Sequence, residues 1–420
     1  MSEAAPRQPW YQGLTKYQWT ILFVAWLGWV FDIFDTAIFN LTKGDMLKEM
    51  MGAEQYALNG ARYEGNIQGF FFAGWALGGL IFGILADRWG RTRTLTLTIL
   101  IYSLFTGLTI FCQEPWQVGI ARFITALGVG GEWAAGAALV AEVMPERTRA
   151  AAAGFLQSAA AIGPALTSLA LIKLSHHGWE AMYLVGVIPA LICVVIRFFI
   201  KEPESTAKVD PKGRSPFTEL WSDPKWRRNT LIAMVIGAVV VTGAGTASFW
   251  APNLMDAANK GLDPALIKEK KGYATLISHI GTLAGVLLVP WLCERIGRRK
   301  TIGLFFLMSP IIAIMVVNVG TDYNTLLWSL PIYNFFAIGV SAALALYFPE
   351  LFPTRMRATG AGMAYNVGRI FSIVMPIVTG MVIAESGSLA MGFLIAAGIY
   401  AFGIVAVHFA PETKGKPLPE

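Results

Sequence analysis

Charged side chains are scarce in this chain of 420 residues: Asp, Glu, Lys and Arg make up 14% of it, against about 25% in soluble domains. Cysteine is scarcer still. The three cysteines, Cys112, Cys193 and Cys293, are odd in number and show no paired spacing, which argues against a disulfide framework or a cysteine metal site. Apolar residues, by contrast, make up 55% of the chain. This composition excludes an ordinary soluble domain and indicates an integral membrane protein.

Twelve apolar runs are long enough to cross the membrane, since about 20 helical residues span about 30 Å of hydrocarbon. A charged, proline-rich linker at 201–228 divides them into two sets of six. We therefore predict an all-α membrane protein with one six-helix bundle at 1–200 and a second at 229–420. The predicted spans lie at 19–41, 65–86, 94–113, 116–141, 150–172, 179–200, 229–255, 272–293, 301–319, 324–348, 358–384 and 388–410.

The basic residues predict the orientation of these spans. Most of the 33 Lys and Arg residues lie in segments that become cytoplasmic when both chain termini are placed inside, as the positive-inside rule requires. We therefore expect both termini and the linker in the cytoplasm. The orientation of the spans then accounts for the formal net charge of +6. We therefore do not take this charge as a sign of nucleic-acid binding, and we expect no nucleic-acid partner.

Two loops recur half a chain apart. DRWGRTR at 87–93 returns as ERIGRRK at 294–300, and EVMPERTRAAAAG at 142–154 returns as ELFPTRMRATGAG at 350–362. The two offsets, 207 (294 − 87) and 208 (350 − 142) residues, are nearly equal. This pattern indicates a parallel duplication of one membrane-embedded half, as in carriers whose halves rock against each other.

The stretch GILADRWGRTR at 83–93 resembles the signature loop between the second and third helices of the major facilitator superfamily. The resemblance covers essentially the whole chain and implies a twelve-helix transporter that works by alternating access. We interpret the repeated loops as gates and hinges, although the arginines among them can instead serve only to fix topology. The gate residues are Gly83, Asp87, Arg88, Gly90, Arg91, Glu142, Arg149, Glu294, Arg298, Glu350 and Arg357.

Charges inside the predicted spans are few, and each costs about 2.5 to 3.5 kcal/mol at the bilayer centre on insertion scales. Asp32 and Asp35 lie in the first span, Arg122 and Glu132 in the fourth, and Arg369 in the eleventh. A shift of 208 residues finds no charged counterpart for any of them in the other half. They are therefore not part of the duplicated scaffold, and we predict that they form a substrate and ion site.

Asp32 and Asp35 are three residues apart, which places both carboxyl groups on one face of a helix. Two carboxylates this close in a low-dielectric setting should not both ionise, so one is expected to hold a proton. That property suits proton coupling. The alternatives are an aspartate that caps a broken helix or one that forms a structural salt bridge.

Arg122 is predicted to pair with Asp35, because each lies about six residues from the outer membrane surface. We hypothesise that a substrate carboxylate replaces Asp35 on Arg122 after protonation, with Arg369 as a second cationic contact. Glu132 lies about 15 Å further along the fourth span, too far to bond Arg122. We interpret Glu132 either as a second proton site or as a structural partner for a cytoplasmic arginine.

A finer resemblance lies in PWYQGLTKYQW at 9–19, AWLGWVFDIFD at 25–35 and RFITALGVGGEW at 122–133. These stretches are similar to the sialate and monocarboxylate proton symporters. The D-x-x-D pair also resembles the D-G-x-D of the aromatic-acid proton symporters, with Ile33 in place of glycine. Both groups import organic acids, and in the second group arginines of the fourth and eleventh helices are implicated in transport, which the positions of Arg122 and Arg369 match.

The function predicted from these features is the import of a small organic anion with protons, such as lactate or a sialate-like sugar acid. We expect a monomer of the inner membrane without enzymatic activity, metal or cofactor. A drug or metabolite antiporter, a carrier without ion coupling and a non-transporting sensor on the same fold remain alternatives. Further predicted substrate contacts are Trp29, Tyr333, Asn334, Tyr365, Asn366 and Gln157, and His279 is interpreted as a helix contact.

Overall fold

The structure, a computed structural model, describes residues 12–416 and 419 apart from several short gaps and one longer one. The gaps are 90, 146–147, 149–151, 153–154, 175, 189–215, 320–321 and 354–355. The side chains of 84, 86–88, 91, 133–139, 141–142, 216 and 358 also lie outside the described part of the chain.

The described residues fold entirely into helices and short connections, with no strand among them. The first half contains α1 (Lys16–Met51), α2 (Ala53–Trp89), α3 (Arg91–Leu108), α4 (Pro115–Val143), α5 (Ala159–Leu174) and α6 (Glu180–Val185). A short helix, Pro216–Ser222, precedes the second half. The second half contains α7 (Pro224–Ala258), α8 (Pro264–Ile296), α9 (Arg298–Val319), α10 (Tyr323–Ala337), α11 (Arg357–Ser386) and α12 (Leu389–Phe409).

The predicted all-helical membrane architecture is confirmed. Within the described residues, nine helical stretches are long and apolar enough to cross a membrane, and one of them joins α10 to the helix Ser341–Glu350 that follows it. Two further helices, α2 and α4, contain 37 and 29 residues. Most of the predicted span 179–200 lies outside the described residues, so the count of twelve stays a prediction.

Several helices are longer than the apolar runs that predicted them. The predicted first span ended at 41 and the second began at 65, whereas α1 continues to Met51 and α2 begins at Ala53. The predicted bounds were wrong because Lys43 and Glu64 interrupt the apolar runs. Both side chains are buried against each other, so they do not end the helices.

Glycines allow α2 and α4 to pack with their backbones nearly in contact. A Cβ on Gly78 would overlap the carbonyl of Leu127, and one on Gly130 would overlap the carbonyl of Trp75. Small residues at a membrane helix interface allow this close approach, which strengthens dispersion contacts between the helices. The two helices therefore form one rigid part of the first half.

The two halves meet at the end of the bundle remote from the described chain ends, which we call the distal end. There α2 packs on α11, where a Cβ on Gly380 would lie 2.5 Å from the carbonyl oxygen of Ala61. On the opposite side α5 packs on α8, where a Cβ on Gly272 would lie 2.6 Å from the side chain of Ile172. These contacts close the distal end over the space between the halves.

Candidate functional site

Asp35 and Arg122 form a buried ion pair between α1 and α4. Arg122 Nη1 lies 2.7 Å from Asp35 Oδ2, and the side chains are 0% and 1% exposed. Thr106 on α3 donates a hydrogen bond to the other carboxylate oxygen. The ion pair predicted from the depth of the two residues is therefore present, and it joins three helices of the first half.

The Asp35–Arg122 pair does not face the space between the halves. Ile33 and Ala37 line that space, and Asp35 lies two residues from each, about half a helical turn away. The guanidinium centre of Arg122 sits 4.3 Å from the ring centroid of Phe71 and 5.1 Å from that of Phe39. This conformation therefore does not support the hypothesised replacement of Asp35 by a substrate carboxylate on Arg122, because the rotation of α1 turns Asp35 into its own half.

Asp32 meets Glu132 instead of sharing a site with Arg122. Their carboxyl groups lie within hydrogen-bonding reach of each other, and both are nearly inaccessible to solvent, at 1% and 3% exposure. Room for Glu132 comes from Gly28, one turn before Asp32 on α1, where any Cβ would overlap the Glu132 carboxylate. A buried pair of carboxyl groups thus lies between α1 and α4.

Arg369 on α11 approaches this pair from the second half. Its guanidinium centre lies 4.6 Å from the ring centroid of Trp75 on α2, and its Nη1 donates to Asn366 Oδ1 at 3.1 Å. It also interacts electrostatically with Asp32 and with Tyr365. Arg369, Asn366 and Tyr365, three of the predicted substrate residues, are therefore together at the interface between the halves.

A cavity of about 230 Å³ lies between the halves beside this group. Trp75, which contacts Arg369, forms part of its wall, so the cavity and the charged cluster share one side chain. Its wall otherwise consists of apolar side chains, uncharged polar side chains and the imidazole of His279. The lining residues include Ile33, Thr36, Asn40, Gln68, Phe72, Trp75, Pro164, Ser248, Thr275 and His279.

The other predicted substrate residues do not line this cavity. Tyr333 is 1% exposed and packs on Phe393 with ring centroids 4.9 Å apart, in the core of the second half. Asn334 donates to the carbonyl of Ser278 at 3.3 Å and lines only a neighbouring pocket of about 30 Å³. Trp29 and Gln157 are half-buried, and Trp29 packs on the hydrophobic core of the first half.

The repeated loops of the second half form an ionic cluster. Arg298 pairs with Glu294 and with Glu350, each at 2.8 Å, and Arg357 donates to the carbonyl of Pro349 at 3.0 Å. Gly83 lies on α2 with open space where a Cβ would be. Gly90 and the side chains of Asp87, Arg88, Arg91, Glu142 and Arg149 lie outside the described residues.

A second buried ionic group was missed by the sequence analysis. Lys43 on α1 donates to the carbonyl of Phe249 on α7 at 2.6 Å and lies 3.4 Å from Glu64 on α2. Glu64 also accepts from Tyr56 at 2.5 Å and from Asn253 on α7 at 2.9 Å. These five residues, which we call the distal network, join the two halves at the distal end.

Two further ion pairs lie beside the distal network. Lys271 on α8 pairs with Asp256 on α7 at 3.0 Å, and Lys268 on α8 pairs with Asp45 on α1 at 3.7 Å. The charges in both pairs fall just outside the apolar runs from which the spans were drawn. These pairs could have been predicted from the sequence, because residues of opposite charge lie at the ends of helices that face each other.

Comparisons with known proteins agree with this architecture. The family model described as Major Facilitator Superfamily matches residues 25–375. The chain is 30% identical to the niacin transporter NiaP of Acinetobacter baylyi, with 96% of each chain covered. It is 26% identical to the sialic acid transporter NanX of Escherichia coli, with 95% of this chain and 96% of that one covered.

Among solved structures, a D-xylose-proton symporter matches with a TM-score of 0.78 at 18% identity, over 96% of this chain and 100% of the other. At that identity the likeness concerns the fold. The family match, which spans most of the chain, and the relative at 30% identity together carry the assignment. The chain therefore belongs to the major facilitator superfamily and is a multi-pass transporter of the inner membrane.

Proposed function

We propose that the protein imports a small organic anion, a monocarboxylate, together with protons by alternating access. One observation carries this proposal: Arg369 of the second half interacts electrostatically with Asp32 of the Asp32–Glu132 carboxyl pair, beside a cavity between the halves. A cation suits the substrate carboxylate, and the carboxyl pair suits a transported proton. The relatives are named for niacin and sialic acid, both of which are carboxylic acids.

The Asp32–Glu132 pair is the proposed proton site. Two ionised carboxylates in contact repel each other strongly in a buried site, so the pair is stable with one proton between them. A further proton neutralises Asp32 and removes its attraction for Arg369. The guanidinium fork of Arg369 is then available to bind a substrate carboxylate with two hydrogen bonds.

The Asp35–Arg122 pair receives a different role in this proposal. It faces away from the cavity and holds α1, α3 and α4 together, so that the first half moves as one body. A substrate carboxylate would have to pass α1 to replace Asp35 on Arg122. We therefore assign the carboxylate contact to Arg369 and a positioning role to Arg122.

Alternating access follows from the proposed topology. If twelve spans cross the membrane and both termini are cytoplasmic, the distal end is the extracellular end. The distal network then closes the extracellular side in this conformation. The repeated loops, including the Arg298–Glu350 pair, lie at the cytoplasmic side, where they act as gates while the halves at 1–200 and 229–420 rock about the linker at 201–228.

Proteoliposomes that contain the purified protein test this function. Lactate, pyruvate, sialate and benzoate are added outside, with and without a sodium gradient, while external pH is recorded. We expect external alkalinisation on addition of at least one acid. Transport that depends on sodium without any pH change would refute proton coupling.

Two matched variants test the assignment of roles. Arg369→Lys keeps the charge but loses the bidentate fork, so substrate affinity should fall. Arg122→Lys should lower thermal stability, because it disturbs a buried ion pair, while the affinity of the folded fraction stays unchanged. The opposite result, with affinity lost only in Arg122→Lys, would return the carboxylate contact to α4.

A further inference from the structure

Two amide side chains that line the cavity between the halves have oxygens without a hydrogen-bond partner among the described residues. Gln68 on α2 is 1% exposed, and Asn40 on α1 lines the same cavity. Neither Gln68 Oε1 nor Asn40 Oδ1 has a hydrogen-bond partner among the described residues, and both oxygens are buried. A buried amide oxygen without a partner costs about 1 to 3 kcal/mol, so two such oxygens on side chains that line one cavity indicate that a ligand supplies their hydrogen bonds.

The two amides lie level with each other. The contact between Lys43 and Glu64 shows which positions of the antiparallel helices α1 and α2 lie at the same depth. Asn40 is three residues before Lys43, and Gln68 is four residues after Glu64, so each amide lies about one turn further into the cavity. The side chains therefore reach the same depth from adjacent helices.

The second half adds polar groups to the facing wall. Ser248 on α7 and Thr275 and His279 on α8 line the same cavity. His279 lies 3.4 Å from Thr282 through its Nδ1. A ligand at this position would thus meet amides on one side and hydroxyl and imidazole groups on the other.

We propose that Asn40 and Gln68 form a second binding subsite, which hydrogen-bonds a polar group at the end of the substrate opposite its carboxylate. This inference rests on the proposed function, in which Arg369 binds that carboxylate. An amide both donates and accepts, so the subsite takes a hydroxyl, a ring nitrogen or a carbonyl. The substrate is then an acid with two polar ends and an apolar body between Phe72 and the rest of the cavity wall.

The length of the substrate follows from α2. Trp75, which contacts Arg369, and Gln68 are seven residues apart, so they lie on one face about 10 Å apart along the helix. A substrate that contacts both Arg369 and Gln68 must therefore bridge about two helical turns, with its polar groups at opposite ends.

The cavity volume supports a compact acid. Its volume of about 230 Å³ exceeds the roughly 150 Å³ of an engineered cavity that binds benzene. A single ring with a carboxylate and one further substituent therefore fits this space. The inference thus narrows the proposed organic anion to a ring-sized acid with a second polar group across from the carboxylate.

Binding to the purified full-length protein tests the subsite. Isothermal titration calorimetry of the protein in nanodiscs compares the affinity for benzoate with the affinity for 4-hydroxybenzoate. We expect 4-hydroxybenzoate to bind about tenfold more tightly than benzoate, the worth of about one net hydrogen bond. In Gln68→Met this advantage should disappear while benzoate affinity changes less than about twofold.

Two variants keep the test interpretable. Gln55→Met changes an exposed glutamine on the same helix and should retain the full advantage of 4-hydroxybenzoate. If Gln68→Met does not fold, Asn40→Ala should give the same selective loss. Equal affinity for benzoate and 4-hydroxybenzoate in the unmodified protein, or equal losses for both acids in the variants, would overturn the subsite and leave the proposed function standing. If none of the acids bound and none was transported, both proposals would fall.

Discussion

Removing the lysine of the distal network should open the distal end. Lys43→Met deletes a hydrogen bond of 2.6 Å to the carbonyl of Phe249, which belongs to the other half, and an ion pair of 3.4 Å with Glu64. Methionine keeps the length and apolar stem of lysine, so packing changes little. The variant isolates the charged contacts of Lys43, of which the hydrogen bond to Phe249 joins the halves.

The size of the effect follows from those contacts. A hydrogen bond that involves a charged group contributes about 1.5 to 3 kcal/mol, which corresponds to an equilibrium shift of about 10-fold to 150-fold. Glu64 keeps its bonds from Tyr56 and Asn253, so its carboxylate does not lose every partner. We therefore expect the distally open population to rise by at least about tenfold without unfolding.

Spin labels on α1 and α7 near the distal end, measured by double electron–electron resonance in nanodiscs, report this population. Lys268→Met is the matched control, because it removes an ion pair between the same halves whose partners are 18% and 39% exposed. Exposed pairs contribute about 0 to 1 kcal/mol, so the control should shift the population less than about fivefold. Identical distance distributions in Lys43→Met and the unmodified protein would refute the reasoning.

Three further predictions concern other sites. Gly28→Ala should displace Glu132 and reduce proton movement per substrate in proteoliposomes, whereas Gly398→Ala on α12, where a Cβ would meet open space, should not. Arg369→Lys should weaken substrate binding at least about tenfold in titration, the worth of one charge-assisted hydrogen bond. Partial burial raises the pKa of Glu412, but hydrogen bonds from four backbone N–H groups lower its pKa by more, giving a net decrease. Glu412 therefore stabilises the C-terminal segment fully at pH values above the ordinary carboxyl pKa, and this stabilisation is lost as the pH falls through the lowered pKa. Acid should expose the segment to hydrogen exchange. Glu412→Gln should expose it already at neutral pH.

The depth of side chains could be predicted from the sequence, but their direction could not. Asp35 and Arg122 were expected to pair because each is about six residues from the same membrane surface, and the structure contains that pair. The position along a helix follows from 1.5 Å per residue alone. The face that a residue presents depends on how the whole helix is rotated against its neighbours, which is why the pair lies inside the first half.

Charged residues near helix ends were the second limit of the sequence analysis. Lys43 and Glu64 break the apolar runs, and composition alone treats such breaks as the ends of spans. In the structure each is buried because the other neutralises it and because α7 supplies a carbonyl and an amide. That compensation comes from a part of the chain about 200 residues away, so no local pattern contains it.

The sequence alone determined that this is a helical membrane protein in which two loops recur half a chain apart, because the length of apolar runs and the repetition of loops are properties of the chain itself. Only the tertiary structure decided that Asp32 meets Glu132, that Arg369 approaches them from the other half, and that Asn40 and Gln68 share one cavity. Those relations depend on how each helix is rotated about its axis. Rotation is set by contacts between helices, such as the packing of the Glu132 side chain of α4 against Gly28 of α1.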